Sequence, residues 1–244
     1  MKSIALTFDL VTTEAAPPQE IMDKDALLLK NLHKSSKAIL HHYEWQGDAA
    51  THGCFVNPYD YLDRDAVKET GLSLGKRPTG GGIIFHIADL AFSFLLPVSH
   101  PAYSTNTLES YAFVNNIVID AITSVTGEKT LSLLPVDPQA LDTACQHFCL
   151  AKPTKYDVIV NGRKLGGAAQ RRTRNGFLHQ GSITLGMLSQ SYLKKILKKE
   201  TRVQEAMNGH SQGLLSADWT EAELQTLRKS LKDALTQSFV KMEL

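Results

Sequence analysis

Two rhythms of apolar positions run along the chain, one near 3.6 residues and one of 2. Ile4–Val11 has the apolar and β-branched character of a strand. Pro17 and Pro18 then precede Glu20–Leu32, where Ile21, Ala26, Leu27 and Leu29 are among the apolar positions of a predicted helix. Ala38–Trp45 reads as a strand. Arg77–His86 and Leu90–Val98 are apolar runs parted by a short polar break, a pattern that predicts adjacent strands. Thr105–Val125 predicts a long helix, capped by Asn106 or Thr107 and stopped by Gly127. Asp137-Pro138 has the form of another helix start, with Pro at the first helical position.

The clearest local signal comes next. Tyr156–Val160 alternates and meets Asn161-Gly162, the strongest short hairpin signal. Lys164–Arg172 continues as a strand, Asn175-Gly176 turns again, and Phe177–Leu185 returns, which predicts a three-stranded meander. The end is helical: Ser189–Lys199 is basic and amphipathic, and Thr220 to Glu223 has capping-box spacing ahead of Leu224, Leu227, Leu231 and Leu235. Strands and helices mix without a βαβ rhythm. That favours an α+β fold, a mixed sheet flanked by helices. No linker is evident, so residues 1–244 are expected to form one domain, with 209–244 as a small helical appendage.

Composition narrows the class without naming an activity. The 244 residues can bury a sizeable core. Lys and Arg number 26 against 25 Asp and Glu, so charge gives no reason to expect a nucleic-acid or membrane partner. No apolar run reaches the roughly 18 residues needed to span a bilayer. The N-terminal stretch is broken by Asp9, lacks a leader core, and is read as part of the mature fold. The three cysteines do not suggest a disulfide framework, so a reducing cytoplasm is the expected location.

Three places could carry chemistry. Lys76 to His86 contains Gly80, Gly81 and Gly82 in a row before an apolar strand. Bare backbone N–H groups there could cradle an anion beside Arg77, or the run could be a tight turn or bulge; spacing alone does not choose. Lys164 follows a hairpin turn and precedes Gly166, Gly167, Ala168 and Ala169, which would open space above a sheet. The bland alternative is an exposed Lys on a hairpin flank. Cys149 could attack a thioester and hold an acyl group. Cys145, His147 and Cys149 lie close together, but no fourth ligand stands at zinc-site spacing, so no metal is expected. His86 and His179 are acid–base candidates whose bland reading is structural.

Together these residues resemble the lipoate–protein ligase and octanoyltransferase family. RPTGGGIIFH at 77–86 is similar to its Arg-Arg-x-x-Gly-Gly-(Gly)-x-(Val/Ala)-x-His block. VNGRKLGGAAQRR at 160–172 is similar to its Gly-x-Lys-(hydrophobic)-x-Gly-(Ser/Asn)-Ala block, and GFLHQGSITL at 176–185 to its His-(His/Gln)-Gly-(Ser/Thr)-(Ile/Leu) block. The resemblance implies a mixed sheet with an acyl tunnel, Lys164 as the active-site lysine, and a pocket lined by Arg77, Gly80, Gly81, Gly82, His86, Gly167, Ala168, His179, Gly181 and Ser182. It implies acylation of a lysine on a lipoyl domain, either of a 2-oxo acid dehydrogenase E2 subunit or the glycine-cleavage H protein.

Two mechanisms live on that fold. Octanoyltransferases of the cysteine type take octanoate from acyl carrier protein and need no cofactor. Cys149, Pro153, Tyr156 and Asp157 match the spacing of their nucleophile segment, and Asp89 to Ser93 resembles their Glu-Leu-Thr-Tyr-Ser. Ligases activate free lipoate with ATP and Mg²⁺; Gly82 and Phe85 are more ligase-like. The transferase is the leading expectation, acting as a monomer. A non-catalytic lipoate-binding scaffold is the alternative from another class, since Ile87-Ala88 replaces the usual Asp after His86. A zinc module at Cys145, His147 and Cys149 ranks last.

Overall fold

The computed structural model describes residues 8–199 and 201–240. Strands β1 (Phe8–Ala16) and β2 (Ala38–Trp45) flank helix α1 (Pro18–Asn31). Residues 4–7 of the strand predicted at Ile4–Val11 lie outside the described residues. Pro18 opens α1 with Glu20 in its first turn and Lys30 in its last, both matched to the helix dipole. Next come β3 (Ala49–His52), α2 (Arg64–Thr70), β4 (Ser73–Lys76), β5 (Ile83–Phe85), β6 (Asp89–Pro97) and α3 (Thr107–Thr126). The rest of the chain gives β7 (Ser132–Leu133), β8 (Val158–Val160), β9 (Arg163–Thr173), β10 (Gly176–Thr184), α4 (Gln190–Ile196), α5 (Val203–His210) and α6 (Glu221–Val240).

Two sheets form. One has seven strands in the order β1-β2-β6-β10-β9-β8-β7, and the other has three in the order β4-β3-β5. Both are mixed: β1–β2 and β3–β4 are parallel, the other pairs antiparallel. The α+β expectation and the meander β8-β9-β10 hold. The adjacency expected for Arg77–His86 and Leu90–Val98 does not, because β5 and β6 lie in different sheets. Between them the backbone changes hands. The His86 N–H donates to the Ala49 carbonyl in the small sheet, whereas the Ala88 carbonyl accepts from Leu185 and Gly186 at the large one.

Asp137-Pro138 does not start a helix. The Asp137 carboxylate accepts the Lys155 N–H at 2.5 Å across the loop rather than capping its own segment. A short 3-10 turn at Ala144–His147 is all that forms there. The C-terminal segment read as an appendage enters the main core instead. Thr220 and Glu223 close a reciprocal capping box. Leu224, Leu231, Leu235 and Phe239 are then buried, with Phe239 stacked on Phe94 at 4.6 Å. Each such side chain contributes roughly 1.5–3 kcal/mol of burial.

The main core lies between the large sheet, α3 and α6. A second core joins the small sheet to the Cys145–Ala151 strap, α4 and α5. The seam between the two cores holds the site.

Candidate active site

A cavity opens at this seam. Arg77 and Gly82 reach it from the small sheet's loop, Lys164, Gly167 and Gln180 from the large sheet, and Cys149 from the strap.

Lys164 is delivered by the hairpin. Asn161 and Gly162 take φ of 51° and 75°, the pair of left-handed residues that a type I′ turn requires. Ile159 pairs with Lys164, but Val158 pairs with Gly166, so Leu165 is an extra residue in β9. In a regular strand positions 164 and 167 would face opposite sides. The bulge brings both to the cavity. A Cβ on Gly167 would stand 2.5 Å from Lys164 Nζ and 2.6 Å from Asp157 Oδ1, so only glycine leaves room for that pair.

Lys164 is buried, with its ammonium 2.7 Å from Asp157 Oδ2 and donating to the Cys149 carbonyl at 2.9 Å. An ammonium has three donors, and these contacts use two. Burial pushes the Asp157 carboxyl above its ordinary range, against the pull of Lys164 and of the Thr154 N–H. A charge pair this dry is held by its geometry, because solvent does little to stabilise either member.

Cys149 is half-buried on the strap, and its N–H donates to the Ile83 carbonyl at 3.0 Å. The strap lies so close to the Gly run that a Cβ on Gly82 would collide with the His147 carbonyl. Close approach, rather than a turn alone, explains the third glycine.

Arg77 is buried, donating to Thr51 Oγ1 at 2.8 Å and to the carbonyls of Gly82 at 2.8 Å and Gly80 at 3.0 Å. Its Nε has no partner, and no carboxylate pairs with it among the described residues. A buried guanidinium without a counter-charge suits an anionic or carbonyl ligand. The same Thr51 hydroxyl meets His86 Nε2 at 2.8 Å. His86 Nδ1 lies 2.7 Å from Asp89 Oδ2, which also accepts from Ser182 Oγ at 2.6 Å. Stacking on Trp45 at 4.3 Å fixes the imidazole plane.

The cavity thus gathers Cys149, Lys164, Arg77, Gly81, Gly82, His86, Gly167, Ala168, Gly181 and Ser182. Gly80 and His179 are not on its wall. Gly80 only lends its carbonyl to Arg77. His179 shares the face of Phe177 and Ile183 in β10, so strand alternation points it into the main core, where it packs on Phe92. Burial lowers its pKa to about 3, so it stays neutral there. Its neighbour Gln180 faces the cavity instead, held between Thr79 at 2.7 Å and Asp25 at 2.6 Å. Counting parity back from Ser182 finds Gln180. Thr51 and Trp45 carry no signal in the sequence that marks them.

The Cys145, His147 and Cys149 grouping does not converge. His147 stacks on Tyr61 at 4.6 Å, and burial with the Asp142 hydrogen bond pushes the Cys145 thiol up to about 11. No group of three or more His, Cys, Asp or Glu side chains is arranged to hold a metal ion among the described residues. No helix among them is long and apolar enough to cross a membrane.

Residues 17–235 match the family described as the lipoyl protein ligase A/B catalytic domain. The chain belongs to this family. It is accordingly an enzyme of the lipoate ligase and octanoyltransferase group. Octanoyltransferase LipM of Exiguobacterium sp. is 31% identical over 209 residues, covering 84% of this chain and 76% of that protein. Octanoyltransferase LipM of Staphylococcus aureus is 29% identical over 181 residues, covering 72% of this chain and 65% of that one, just under two thirds of its length. Among solved structures, a lipoate-protein ligase A bound with ATP superposes with a TM-score of 0.67 at 19% identity, covering 95% of this chain and 85% of the other. A bipartite lipoate protein ligase from Thermoplasma acidophilum, described with its E2 lipoyl domain, gives 0.64 at 18%, covering 96% and 84%. These two likenesses show the fold, a mixed-sheet catalytic domain of the lipoate-ligase type.

Proposed function

We propose that this enzyme transfers an octanoyl group from acyl carrier protein to the lysine of a lipoyl domain through a thioester on Cys149. The observation that carries the reading is the joint placement of Cys149 and Lys164 on one cavity wall, tied by the bond from Lys164 Nζ to the Cys149 carbonyl. The likeness to LipM proteins supports it.

In the first step the Cys149 thiolate attacks the thioester carbonyl. A C–S bond to Cys149 forms, the C–S bond to the carrier's thiol breaks, and the departing thiolate takes a proton from solvent. In the second step the neutral amine of the acceptor lysine attacks. A C–N bond forms, the Cys149 thiolate leaves, and the amine proton passes to solvent. The third N–H of Lys164 is the donor available to the oxyanion in both steps. Met22, Ile84, Phe148 and Leu150 give the acyl chain an apolar wall, each buried CH₂ contributing about 0.8 kcal/mol. The acceptors would be E2 lipoyl domains or the glycine-cleavage H protein. We take a monomer, with 1–244 as one catalytic domain, to be the acting unit. This route needs no cofactor.

The Arg77 guanidinium, buried with no carboxylate partner among the described residues, favours a second reading, a ligase that forms lipoyl-AMP from free lipoate, ATP and Mg²⁺, with Arg77 facing the phosphate. Incubation with octanoyl-acyl carrier protein and apo lipoyl domain, without ATP, separates the two. Octanoylated domain, and one octanoyl group on Cys149 by mass spectrometry, are expected. Transfer that survives Cys149→Ser rules out the covalent route, and modification only with lipoate, ATP and Mg²⁺ establishes the ligase.

A further inference from the structure

Asn115 lies in the middle of α3, buried, and its Nδ2 donates to the Tyr156 carbonyl at 2.7 Å. Tyr156 has a φ of 71°, a left-handed conformation that a residue with a β-carbon takes only when its surroundings hold it there. The next residue is Asp157, the partner of Lys164. Backbone bonds fasten the ends of this turn. Tyr156 N donates to Leu134 O at 2.8 Å, Leu134 N to Asp157 O at 2.8 Å, and Asp157 N to Thr154 O at 3.0 Å. None of these takes up the Tyr156 carbonyl, which Asn115 does. One turn earlier on α3, Tyr111 accepts the Gln170 N–H at 2.8 Å, so the helix grips β9 and the turn together.

We infer that Asn115 is a positioning residue for the charge pair. It holds Tyr156 left-handed, which aims the Asp157 carboxylate at Lys164 and keeps the ammonium against the Cys149 carbonyl. The inference rests on the catalytic reading of Cys149 and Lys164 given above. A merely structural Asn115 would fill a polar slot between α3 and the loop, and its loss would lower stability without regard to the conformation of Tyr156.

The two roles separate through rescue. Asn115→Leu keeps the size and removes the donor, and Tyr156→Gly lets residue 156 go left-handed without help. Asn115→Leu is expected to lower kcat for octanoyl transfer about tenfold, the effect of losing one buried hydrogen bond, with KM for the lipoyl domain unchanged. Adding Tyr156→Gly is expected to restore most of the rate. If Asn115→Leu does not fold, Asn115→Ser replaces it in the same pair of measurements. An Asn115 variant with the parental kcat, or a loss that Tyr156→Gly leaves in place, overturns the inference. Alkylation of Cys149 by iodoacetamide, followed in the same variants, needs no acyl donor. It should slow with Asn115→Leu and recover with Tyr156→Gly, and an unchanged rate counts against the inference. Should Cys149→Ser leave octanoyl transfer intact, the thioester reading fails, while the alkylation series still decides whether Asn115 sets the geometry around Cys149.

Discussion

Gly167 lies directly beneath the ammonium of Lys164, close enough that a methyl group on it would stand 2.5 Å from Nζ. That space exists because an extra residue at Leu165 turns both positions to one side of β9. Gly167→Ala should therefore push the ammonium off the Cys149 carbonyl while leaving the strand paired. A displacement near 1 Å costs about 100-fold in rate. Steady-state transfer kinetics beside thermal melts check this: kcat should fall by that order with little change in Tm. A parental kcat would show that Lys164 tolerates displacement.

Removing the cation itself should do more. Lys164→Met is expected to abolish octanoyl transfer, a loss of at least about 100-fold for a missing oxyanion donor. It also strands Asp157, a change that costs about 3–5 kcal/mol for a broken buried pair. The Asp157 carboxyl already titrates above its unfolded value, so the folded state binds the extra proton. Its unpaired burden is absent at low pH and grows as pH rises through the folded pKa. Urea melts of Lys164→Met should hence show lower stability near pH 8 than near pH 5. Asp157→Asn in the same background should remove that slope.

Two buried histidines give the opposite sign. Burial, with Lys232 and His41 adding to it, lowers His42 from 6.5 to about 4, and burial lowers His179 from 6.5 to about 3. Below pH 6.5 the unfolded chain takes up protons that these folded groups refuse. Stability then falls as pH drops from 6.5 toward 4 for His42 and toward 3 for His179, by up to a few kcal/mol each. His179→Gln, which keeps a polar partner for Gln170, should remove the His179 share of this decline between pH 6.5 and 4. Melts between pH 7 and pH 4 read it, and an unchanged slope would show that His179 is already protonated in the fold.

Much of this was readable in the residues because it depends on local chemistry. Asn161-Gly162 fixes the hairpin and thereby places Lys164. Thr220 and Glu223 fix the start of α6. What was missed depends on distant partners. Leu165 has no mark of a bulge, since the extra residue shows only in its pairing with β8. β3 and β4 are short, and their register comes from each other and from α1 rather than from periodicity, while the short α2 packs on α4. His179 drew attention for its chemistry, yet strand parity gave the cavity to Gln180. Asp137-Pro138 looked like a helix start because the rival use of that carboxylate, by Lys155, lies across the loop.

The seam location has a consequence for how the enzyme comes into being. Cys149 is registered by Ile83 of the small sheet and Lys164 by the large one, so neither unit holds a working centre alone. A chain with one sheet formed and the other open would have a nucleophile without its cation, or the reverse. Appearance of turnover during refolding should lag the first sheet signal and coincide with docking of the two cores, which makes activity a gauge of complete assembly.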